Sequence, residues 1–581
     1  TDAYDCMTKS DSLRQRKLSA ENPEVFRACL LSTVLHSFAV VFEARITGIV
    51  GAGTVKPEEV KLQDTDHSEA DAIFYEGAVV RAIDYFISHV WTAPRWSKAL
   101  ALHYHANIVA ATSVATLFWL GAAVVLVYSK GISAYGGRAD LLVPVLVWFP
   151  LSTFFVVFFF GHMMFPWLGR KQVWLDKLCI HQTRIDLKVL GVTALPEFVA
   201  NSNRMLILWS EAYFERLWCN AEIATFCSLN GAENIDFLPL WMPPWVLVTI
   251  LVDVGCMWLF DNRLSILIPM AGSFIAERFG DSPNLVIFLT QAFGIGLSLG
   301  LSYMPAVLFN YISFSRKIRL HDMMLQQLRD YKFHNAKCTV ESDRAIVEKE
   351  VTELFGEMDH LGKNSDSPDA GPVERFNSYI NNEFADTIEA QVGSVSKMPW
   401  TMCVLVFMPL NFEALANVLG CDGLPCEESW VAEGFSSMPQ YIVTNTLMWS
   451  HGILLIYPTT YPVLLRGMEY FTRKLDGYPV LRASSCILTI AAAYMYMGFL
   501  MGSVCGFIST AIISGEPIWY TAWALSVAVL LYWNYFLFKG RAAVGQKVSI
   551  HGDYRPLPLP QPMSPCVLAV TSKVRALSAS L

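Results

Sequence analysis

The stretch Trp174-Leu-Asp-Lys-Leu-Cys-Ile-His-Gln182, followed later by Tyr213-Phe-Glu-Arg-Leu-Trp-Cys-Asn-Ala-Glu222, decides the fold of this chain. The apolar run before Asp176 has the character of a short buried strand, and so does Met205 to Trp209. Between residues 211 and 229, apolar residues recur near helical spacing. These patterns predict a water-soluble α/β domain.

A further piece of this domain lies upstream and is separated from it by apolar sequence. Asp84 to Trp91 suits a short buried strand, and the segment that follows suits a helix that continues into a charge-free span. A second apolar segment then returns. We therefore expect a domain over residues 84–105 and 170–240, split by a transmembrane hairpin over residues 106–169.

The composition indicates a membrane protein. Hydrophobic residues make up 54% of the 581 residues, and charged residues only 16%. The net charge of -8 gives no reason to expect nucleic acid as a partner. We predict a multi-pass α-helical protein with about eight spans, counted as apolar stretches of about 20 residues. The spans are expected at residues 106–128, 141–167, 237–260, 285–309, 400–419, 441–465, 483–513 and 518–538.

The remaining chain divides into segments of different character. Residues 1–83 are expected to hold an interfacial helix over 28–41 and an acidic linker. Residues 237–313 hold the third and fourth spans, and residues 398–540 hold spans five to eight. Residues 314–397 form a helical region between them, and residues 541–581 form a Pro-rich tail.

Basic residues that flank the spans predict the orientation. Arg170, Lys171, Arg316, Lys317, Arg473 and Lys539 fall on one side, while the loop from Cys421 to Pro439 carries no Lys or Arg. The soluble domain, the helical region and the tail are therefore expected on the cytosol-like face of an integral membrane protein; which membrane stays open. Cys421 and Cys426 lie on the other face, as a disulfide or as free thiols.

The soluble segments resemble the Toll/interleukin-1 receptor (TIR) domain superfamily over under a quarter of the chain. Phe86-Ile-Ser88 resembles the first strand of the family, and Val173-Trp-Leu-Asp176 the second. The passage from Tyr213 to Glu222 resembles the Tyr-x-x-Ser-x-Trp-Cys-x-x-Glu passage. Residues 174–182 also resemble the Trp-Ile-Asp-x-x-Cys-Ile-x-Gln motif of fungal heterokaryon-incompatibility domains. The membrane hairpin departs from the family pattern, and the arrangement of spans resembles multi-pass proteins of marine protists.

The resemblance implies a candidate site. Some TIR domains cleave NAD, and their catalytic glutamate corresponds to Glu222, with Trp218 one helical turn earlier as a pocket wall. A carboxylate there would orient a ribose hydroxyl and stabilise the cationic transition state as nicotinamide leaves. Ser88 and Asp176, at strand ends, are candidate ligand-binding residues. The alternatives are that Glu222 pairs with Arg216 or Arg204, and that Asp176 caps the following turn.

Other reactive residues give weaker signals. Cys179 and His181 suggest a thiol nucleophile, but a single cysteine after a strand is more often part of a core. His89 beside Ser88 has no third partner in sequence, which argues against a hydrolase triad. The spacing of cysteine and histidine residues predicts no metal site. No cofactor is implied, and NAD is a candidate substrate only.

Polar and small residues within the spans form a second set of candidates. Asp253, Glu413 and His451 are ionisable and sit in apolar sequence, where such groups often line an ion or solute path. They could equally lie near span ends or bond between helices. Gly498, Gly502 and Gly506 form a double Gly-x-x-x-Gly pattern that favours close helix packing, within the chain or with a partner.

These observations give three hypotheses for function. The favoured one is a membrane-anchored signalling or assembly protein that acts through the TIR-like domain, with NAD cleavage at Glu222 as its enzymatic form. The second is a transporter or channel regulated by that domain. The third is a structural subunit of a larger membrane complex. The expected partners are the lipid bilayer and another protein, or a second copy, bound through the membrane helices or the TIR-like domain.

Overall fold

The computed structural model describes residues 26–42, 68–338, 341–356, 371–393, 395–421 and 424–539. Within these ranges the chain consists of a helical membrane bundle and a small mixed sheet. Residues 1–25, most of the predicted acidic linker and the predicted Pro-rich tail lie outside the described residues.

The sheet has six strands in the order β2-β1-β4-β3-β5-β6. Strands β4, β3, β5 and β6 are parallel, and β1 and β2 extend the β4 edge in the antiparallel sense. The strands are β1 (Arg27–Leu30), β2 (Ala78–Val79), β3 (Ile83–His89), β4 (Gln172–Trp174), β5 (Ser202–Trp209) and β6 (Ile235–Pro239).

The two distant parts of the soluble domain meet in the middle of this sheet. Phe86 of β3 pairs with Trp174 of β4, and their rings stack with centroids 4.4 Å apart. On the other side, β3 pairs with β5 from Ile83 to His89. The strands before and after the hairpin therefore share one buried core, in which Phe86 and Trp174 are almost completely covered.

The hairpin leaves the sheet directly after β3 and returns directly before β4. Helix α3 (Arg95–Lys130) is continuous over 36 residues, which corresponds to a length of about 54 Å. The returning span covers Ala139–Met164 and comprises α4 (Ala139–Val143), a π-helical turn and α5 (Phe149–Met164). The predicted insertion of a membrane hairpin between the first helix and the second parallel strand matches this chain path.

The N-terminal segment differs from the prediction. Residues 28–41 were expected to form one interfacial or buried helix, but β1 occupies Arg27–Leu30 and only α1 (Leu31–Ala39) is helical. A short apolar run is compatible with either structure, because its periodicity does not distinguish a buried strand from a buried helix. The free edge of β4 provides the pairing partner that selects the strand.

Short helices complete the sheet domain. Helix α10 carries Glu222 and packs in the same core as the strands. The helices are α2 (Ser68–Glu76), α6 (Pro166–Gly169), α7 (Asp176–Cys179), α8 (Ile185–Thr193), α9 (Leu195–Ala200) and α10 (Leu217–Asn230).

Among the described residues, the membrane bundle contains six helices long and apolar enough to cross a bilayer, or seven if one bent pair counts as a single span. These are α3, the Ala139–Met164 span, α11 (Met242–Leu259, extended by a π-helical turn to Leu264), α13 (Pro283–Ser302), α23 (Pro479–Ser514) and α24 (Pro517–Phe538). The bent pair is α18 (Trp400–Val406) and α19 (Met408–Gly420). Helix α12 (Leu267–Phe279) connects α11 to α13.

The predicted span over residues 441–465 is not among these helices. The chain there forms α21 (Met438–His451), a π-helical segment, a 3₁₀ turn at Tyr457–Thr459 and α22 (Thr460–Lys474). Pro458 and Pro462 lack the N–H groups that would continue one helix through this point. This sixth predicted span therefore has no single-helix counterpart in the described chain.

The helical region between the spans joins the sheet domain. Helix α14 (Met304–Arg329) leaves the bundle and carries Leu320, Met324 and Leu328 into the core that contains the strands. The other helices of this region pack into the same core: α15 (Glu341–Gly356), α16 (Pro372–Tyr379) and α17 (Ala385–Val392). Residues 357–370, between α15 and α16, lie outside the described residues.

The Gly-x-x-x-Gly pattern of α23 packs against another helix of the same chain. A Cβ atom on Gly502 would lie 2.6 Å from the carbonyl oxygen of Ala292, and one on Gly498 would lie 2.3 Å from that of Gly296. Gly506 meets the backbone of Phe288 in the same way. Helices α13 and α23 therefore approach until their backbones touch, and this face of α23 is already covered by α13.

Candidate functional site

The carboxyl ends of the parallel strands form the place where an open α/β sheet usually binds a ligand. In chain order, the four parallel strands run second, first, third, fourth across the sheet, so the direction of winding reverses between β3 and β5. Ser88 and His89 end β3, Ser210 follows β5, and Asp176 follows β4. The predicted ligand-binding residues Ser88 and Asp176 thus lie along one edge, both on the β4–β3 side of this switch point.

Glu222 joins this edge from helix α10. The Ser88 hydroxyl donates a hydrogen bond to Glu222 Oε2 over 2.5 Å and lies 2.5 Å from the Tyr213 hydroxyl. Ser88 and Tyr213 are buried, and Glu222 is half-buried. Two of the predicted site residues, Ser88 and Glu222, are therefore in direct contact, and Tyr213 is a third member that sequence reasoning did not identify.

Within the described residues, the structure does not pair Glu222 with a basic residue. Arg204 forms an ion pair with Asp236 on the neighbouring strand, and Glu222 has no ion pair among the described residues. The carboxyl group is held by a hydroxyl rather than by a cation. Its charge state is therefore set mainly by burial.

Asp176 has two roles at the β4 end. Its Oδ1 accepts a hydrogen bond from the backbone N–H of the next residue, Lys177, over 2.7 Å, within the first turn of helix α7. Its Oδ2 accepts a hydrogen bond from the Trp91 indole N–H. Two buried lysines lie close by: Lys98 donates to the Trp91 carbonyl oxygen, and Lys177 lies over the Trp91 ring. Asp176 therefore links the β3 and β4 loops.

Burial shifts the titration of both carboxyl groups. It raises the pKa of Glu222 to about 8, although the hydrogen bond from Ser88 acts in the opposite direction. It also raises the pKa of Asp176, against the effect of the Trp91 hydrogen bond. The Asp176 charge adds to the rise at Glu222. At neutral pH the Glu222 carboxyl is therefore mostly protonated when the site is empty.

Trp218 stands one helical turn before Glu222. It is half-buried and packs against the core of the sheet domain. Because residues four apart on a helix share a face, its indole lies on the side of α10 that carries the carboxyl group. The placement agrees with a wall beside Glu222.

A groove of about 390 Å³ opens beside this edge. The loops after β3 and β5 and the first turns of α3 and α11 line it, and Glu222 is not part of its wall. Its polar lining includes Thr92, Ser97, Ser210, Trp209, Trp241, Arg316 and Glu211. Sequence patterns do not indicate this groove, because its walls come from four separate segments.

The other reactive residues have structural roles. Cys179 is buried against Cys29 in the core. His181 Nε2 lies 2.7 Å from Asp71, and its Nδ1 accepts hydrogen bonds from the backbone N–H groups of Thr183 and Arg184. His89 is buried against Phe42, and burial holds its pKa well below the usual range. No thiol nucleophile or hydrolase triad is assembled from these residues.

The membrane bundle contains a second cluster of predicted residues. Asp253 accepts hydrogen bonds from the Tyr303 hydroxyl and from the Leu410 backbone N–H, the latter over 3.1 Å. Glu413, one turn further along α19, is buried nearby. His451 is elsewhere, half-buried with its ring 5.8 Å from that of Trp523. The structure therefore places Asp253 and Glu413 near each other and His451 apart from them.

The described residues contain no group of three or more His, Cys, Asp or Glu side chains suited to a metal ion. Cys421 and Cys426 form a disulfide. No family model, no curated protein and no solved structure matches the chain.

Proposed function

We propose that this chain is a membrane-anchored signalling protein whose TIR-like sheet domain cleaves the bond between nicotinamide and ribose in NAD. Glu222 is the residue that carries the chemistry. The observation behind the proposal is that Glu222 contacts Ser88 at the switch point of the parallel sheet.

The geometry suits recognition of a ribose. Glu222 Oε2 already accepts one hydroxyl hydrogen bond, from Ser88, and the carboxyl group remains partly exposed. A ribose diol presents two further hydroxyl donors. Trp218 offers an apolar surface on the same helix face, of the kind that a planar nicotinamide ring would pack against. The groove lined by Arg316 provides space and a positive charge for the phosphate groups.

The reaction requires the ionised carboxyl group. The C–N bond breaks, its electron pair leaves with nicotinamide, and positive charge develops on the ribose ring before water adds. A carboxylate beside that ring stabilises the charge, as in glycoside hydrolysis. Because the nicotinamide ring of NAD is itself cationic, its binding favours the ionised form of Glu222 and lowers the pKa from about 8.

The test is release of nicotinamide from NAD by the purified full-length protein in detergent. We expect release by the wild type and loss of at least about 100-fold in kcat for Glu222→Gln, which keeps the size of the side chain and removes its charge. Glu215→Gln is the matched control, because Glu215 is an exposed glutamate of the same segment and pairs with Lys337.

Equal turnover by the wild type and Glu222→Gln would contradict the assignment of Glu222. Absence of release from folded wild-type protein would leave assembly through the sheet domain, without cleavage, as the mode of signalling.

A further inference from the structure

Two histidines meet where the membrane hairpin joins the sheet domain. His103 lies in the early turns of α3, and His162 lies near the end of α5, so each is close to the end of its helix that adjoins the sheet. Their ring centroids are 5.4 Å apart, and the ring planes are inclined at 54°. His103 is 1% exposed and His162 is 5% exposed. The hairpin therefore buries two imidazole rings beside each other.

Asn107 joins this pair from the same helix as His103. It stands four residues later on α3, so the two side chains share one face of the helix. The Asn107 amide nitrogen donates to the Phe158 carbonyl oxygen over 2.8 Å and lies 3.3 Å from His162 Nδ1. Because an amide N–H only donates, Nδ1 is the acceptor, and the lone pair of His162 points towards α3. A Cβ atom on Gly161 would lie 3.2 Å from Asn107 Oδ1, so glycine lets α5 approach this closely.

Three polar atoms of this cluster have no hydrogen-bond partner. Within the described residues, they are both ring nitrogens of His103 and the amide oxygen of Asn107. Asn107 is fully buried, and His103 is nearly so. Buried polar atoms almost always have a partner, and an exception calls for a further ligand such as water or an ion. A neutral imidazole has one lone pair, so His103 and Asn107 each have an electron pair that is free to bind a cation.

The spacing of the two rings fits shared coordination of one metal ion. Imidazole binds metal ions through a ring nitrogen at about 2.0–2.1 Å, and two such rings on one ion, at a trigonal or tetrahedral angle, have centroids about 5–5.5 Å apart. The observed 5.4 Å falls in this range. The described residues add no third His, Cys, Asp or Glu ligand here, so the Asn107 oxygen is the third donor.

The ligand atoms carry no charge, and this favours one kind of ion. Among the described residues, no carboxylate interacts with either histidine. The rings of Phe38, Phe158 and Phe159 surround His103, at centroid distances of 6.0, 6.2 and 5.7 Å. Moving an ion into such apolar surroundings costs free energy that rises with the square of its charge, and neutral ligands do not neutralise that charge. A monovalent ion is therefore favoured, and among the metals that imidazole suits, copper has a monovalent form, Cu(I).

We propose that His103, His162 and Asn107 bind a Cu(I) ion at the junction between the hairpin and the sheet domain. The ion accepts a lone pair from a ring nitrogen of His103, from Nδ1 of His162 and from the Asn107 amide oxygen, and no electron is transferred. Since α3 follows β3 and α5 precedes β4, the ion fastens together the two helices that enter and leave the sheet. Copper binding is independent of chemistry at Glu222.

The test is an anaerobic copper titration of the purified full-length protein in detergent, after N-ethylmaleimide has blocked accessible thiols. Cu(I) is supplied with ascorbate and withdrawn by the chelator ferrozine, whose Cu(I) complex absorbs visible light. We expect the wild type to retain about one copper ion per chain. His103→Phe and His162→Phe are expected to lose this ion. His451→Phe is the matched control and should retain it, because it changes a membrane histidine whose ring lies against Trp523.

X-ray absorption at the copper edge of the loaded wild type gives a second measurement that does not depend on the variants. We expect nitrogen or oxygen neighbours at about 2.0 Å and no sulfur at about 2.3 Å, the distance typical of a cysteine ligand. This measurement decides the assignment if size-exclusion elution and circular dichroism show that the two histidine variants do not fold.

Three outcomes overturn the proposal. The first is a wild type that loses all its copper to ferrozine, or folded His103→Phe and His162→Phe variants that retain as much copper as the wild type. The second is sulfur among the neighbours of the bound copper. The third is retention of Zn(II) in place of Cu(I) when the wild type is dialysed against both ions, which would contradict the preference for a monovalent ion.

Discussion

At the scale of single residues, burial explains why the Glu222 carboxyl group has an unusual pKa, and the contact with Ser88 opposes that shift. A helix carboxylate on the surface would titrate near its ordinary value of 4.5, but burial raises the pKa of Glu222 to about 8. The Ser88 hydroxyl moderates the rise because it donates to the charged form. The Glu222 carboxyl group therefore binds a proton near neutral pH, and a ligand that changes its contacts would change its pKa.

This pKa makes stability depend on pH. A carboxyl group with a raised pKa in the folded state contributes stability that is full below about 4.5 and is lost as the pH rises through about 8. Glu222→Gln removes the effect. Between pH 5 and pH 9, we expect the free energy of unfolding of the wild type to fall relative to that of Glu222→Gln by on the order of 2 kcal/mol.

The measurement is thermal unfolding of both proteins in the same detergent at pH 5, 7 and 9. Glu215→Gln serves as the control and should follow the wild type. Parallel curves for the wild type and Glu222→Gln across this range would show that Glu222 titrates normally and is not held as described.

The sequence predicted part of the residue-scale site. Strand ends at Ser88 and Asp176 and a helix through Glu222 place these residues near one sheet edge without further information. The contacts of Tyr213 and Trp91 were not predictable, because both residues lie in turns where no periodicity fixes the direction of a side chain.

At the scale of elements, the close packing of α13 against α23 depends on glycines, which have no side chain to hold the two backbones apart. A Cβ atom on Gly502 would lie 2.6 Å from the Ala292 carbonyl oxygen, whereas Gly255 of α11 has nothing within 4 Å of the corresponding position. Both glycines lie inside helices, so alanine improves the helix propensity of each by about 1 kcal/mol. The difference between the two substitutions therefore isolates the packing.

We expect Gly502→Ala to destabilise the protein by about 1–3 kcal/mol, because the two backbones must separate to admit the methyl group. Gly255→Ala is expected to be neutral or slightly stabilising. The measurement is the midpoint of thermal unfolding in detergent. Equal midpoints for the two variants would contradict close packing at Gly502.

Helices were predictable from the sequence where their apolar pattern is long. The hairpin spans, α13, α23 and α24 follow from continuous apolar sequence, and the structure contains them with small changes of boundary. The pattern failed where tertiary contacts decide. Residues 28–30 form a strand because β4 offers an edge. Residues 400–420 bend at Phe407, where Pro409 lacks the N–H that would continue one helix and Asp253 accepts the Leu410 N–H.

At the scale of the whole molecule, the chain places different chemistry at the two ends of its bundle. The sheet, Glu222 and the groove lie at one end, and the Cys421–Cys426 disulfide lies at the other, near the end of α3. From sequence, the helical region was expected on the same face of the membrane as the sheet domain. The sequence did not predict that residues 314–392 would share a core with the sheet.

The sheet that joins residues on both sides of the hairpin is the basis of the whole account. Tyr85 of β3 pairs with Val173 of β4 in parallel register. Adjacent strands place such partners about 4.8 Å apart, within the range that a disulfide bridges. Leu175 follows two residues later, and its Cα lies about 8 Å from that of Tyr85, beyond that range.

The most direct test is therefore oxidative cross-linking of the double variant Tyr85→Cys with Val173→Cys, followed by mass spectrometry of the proteolytic peptides. We expect a disulfide-linked peptide pair that joins residues 85 and 173, and none that joins 85 and 175 in the control Tyr85→Cys with Leu175→Cys. A folded protein that links 85 to 175 but not to 173, or that links neither pair, would contradict the shared sheet and the site built on its edge.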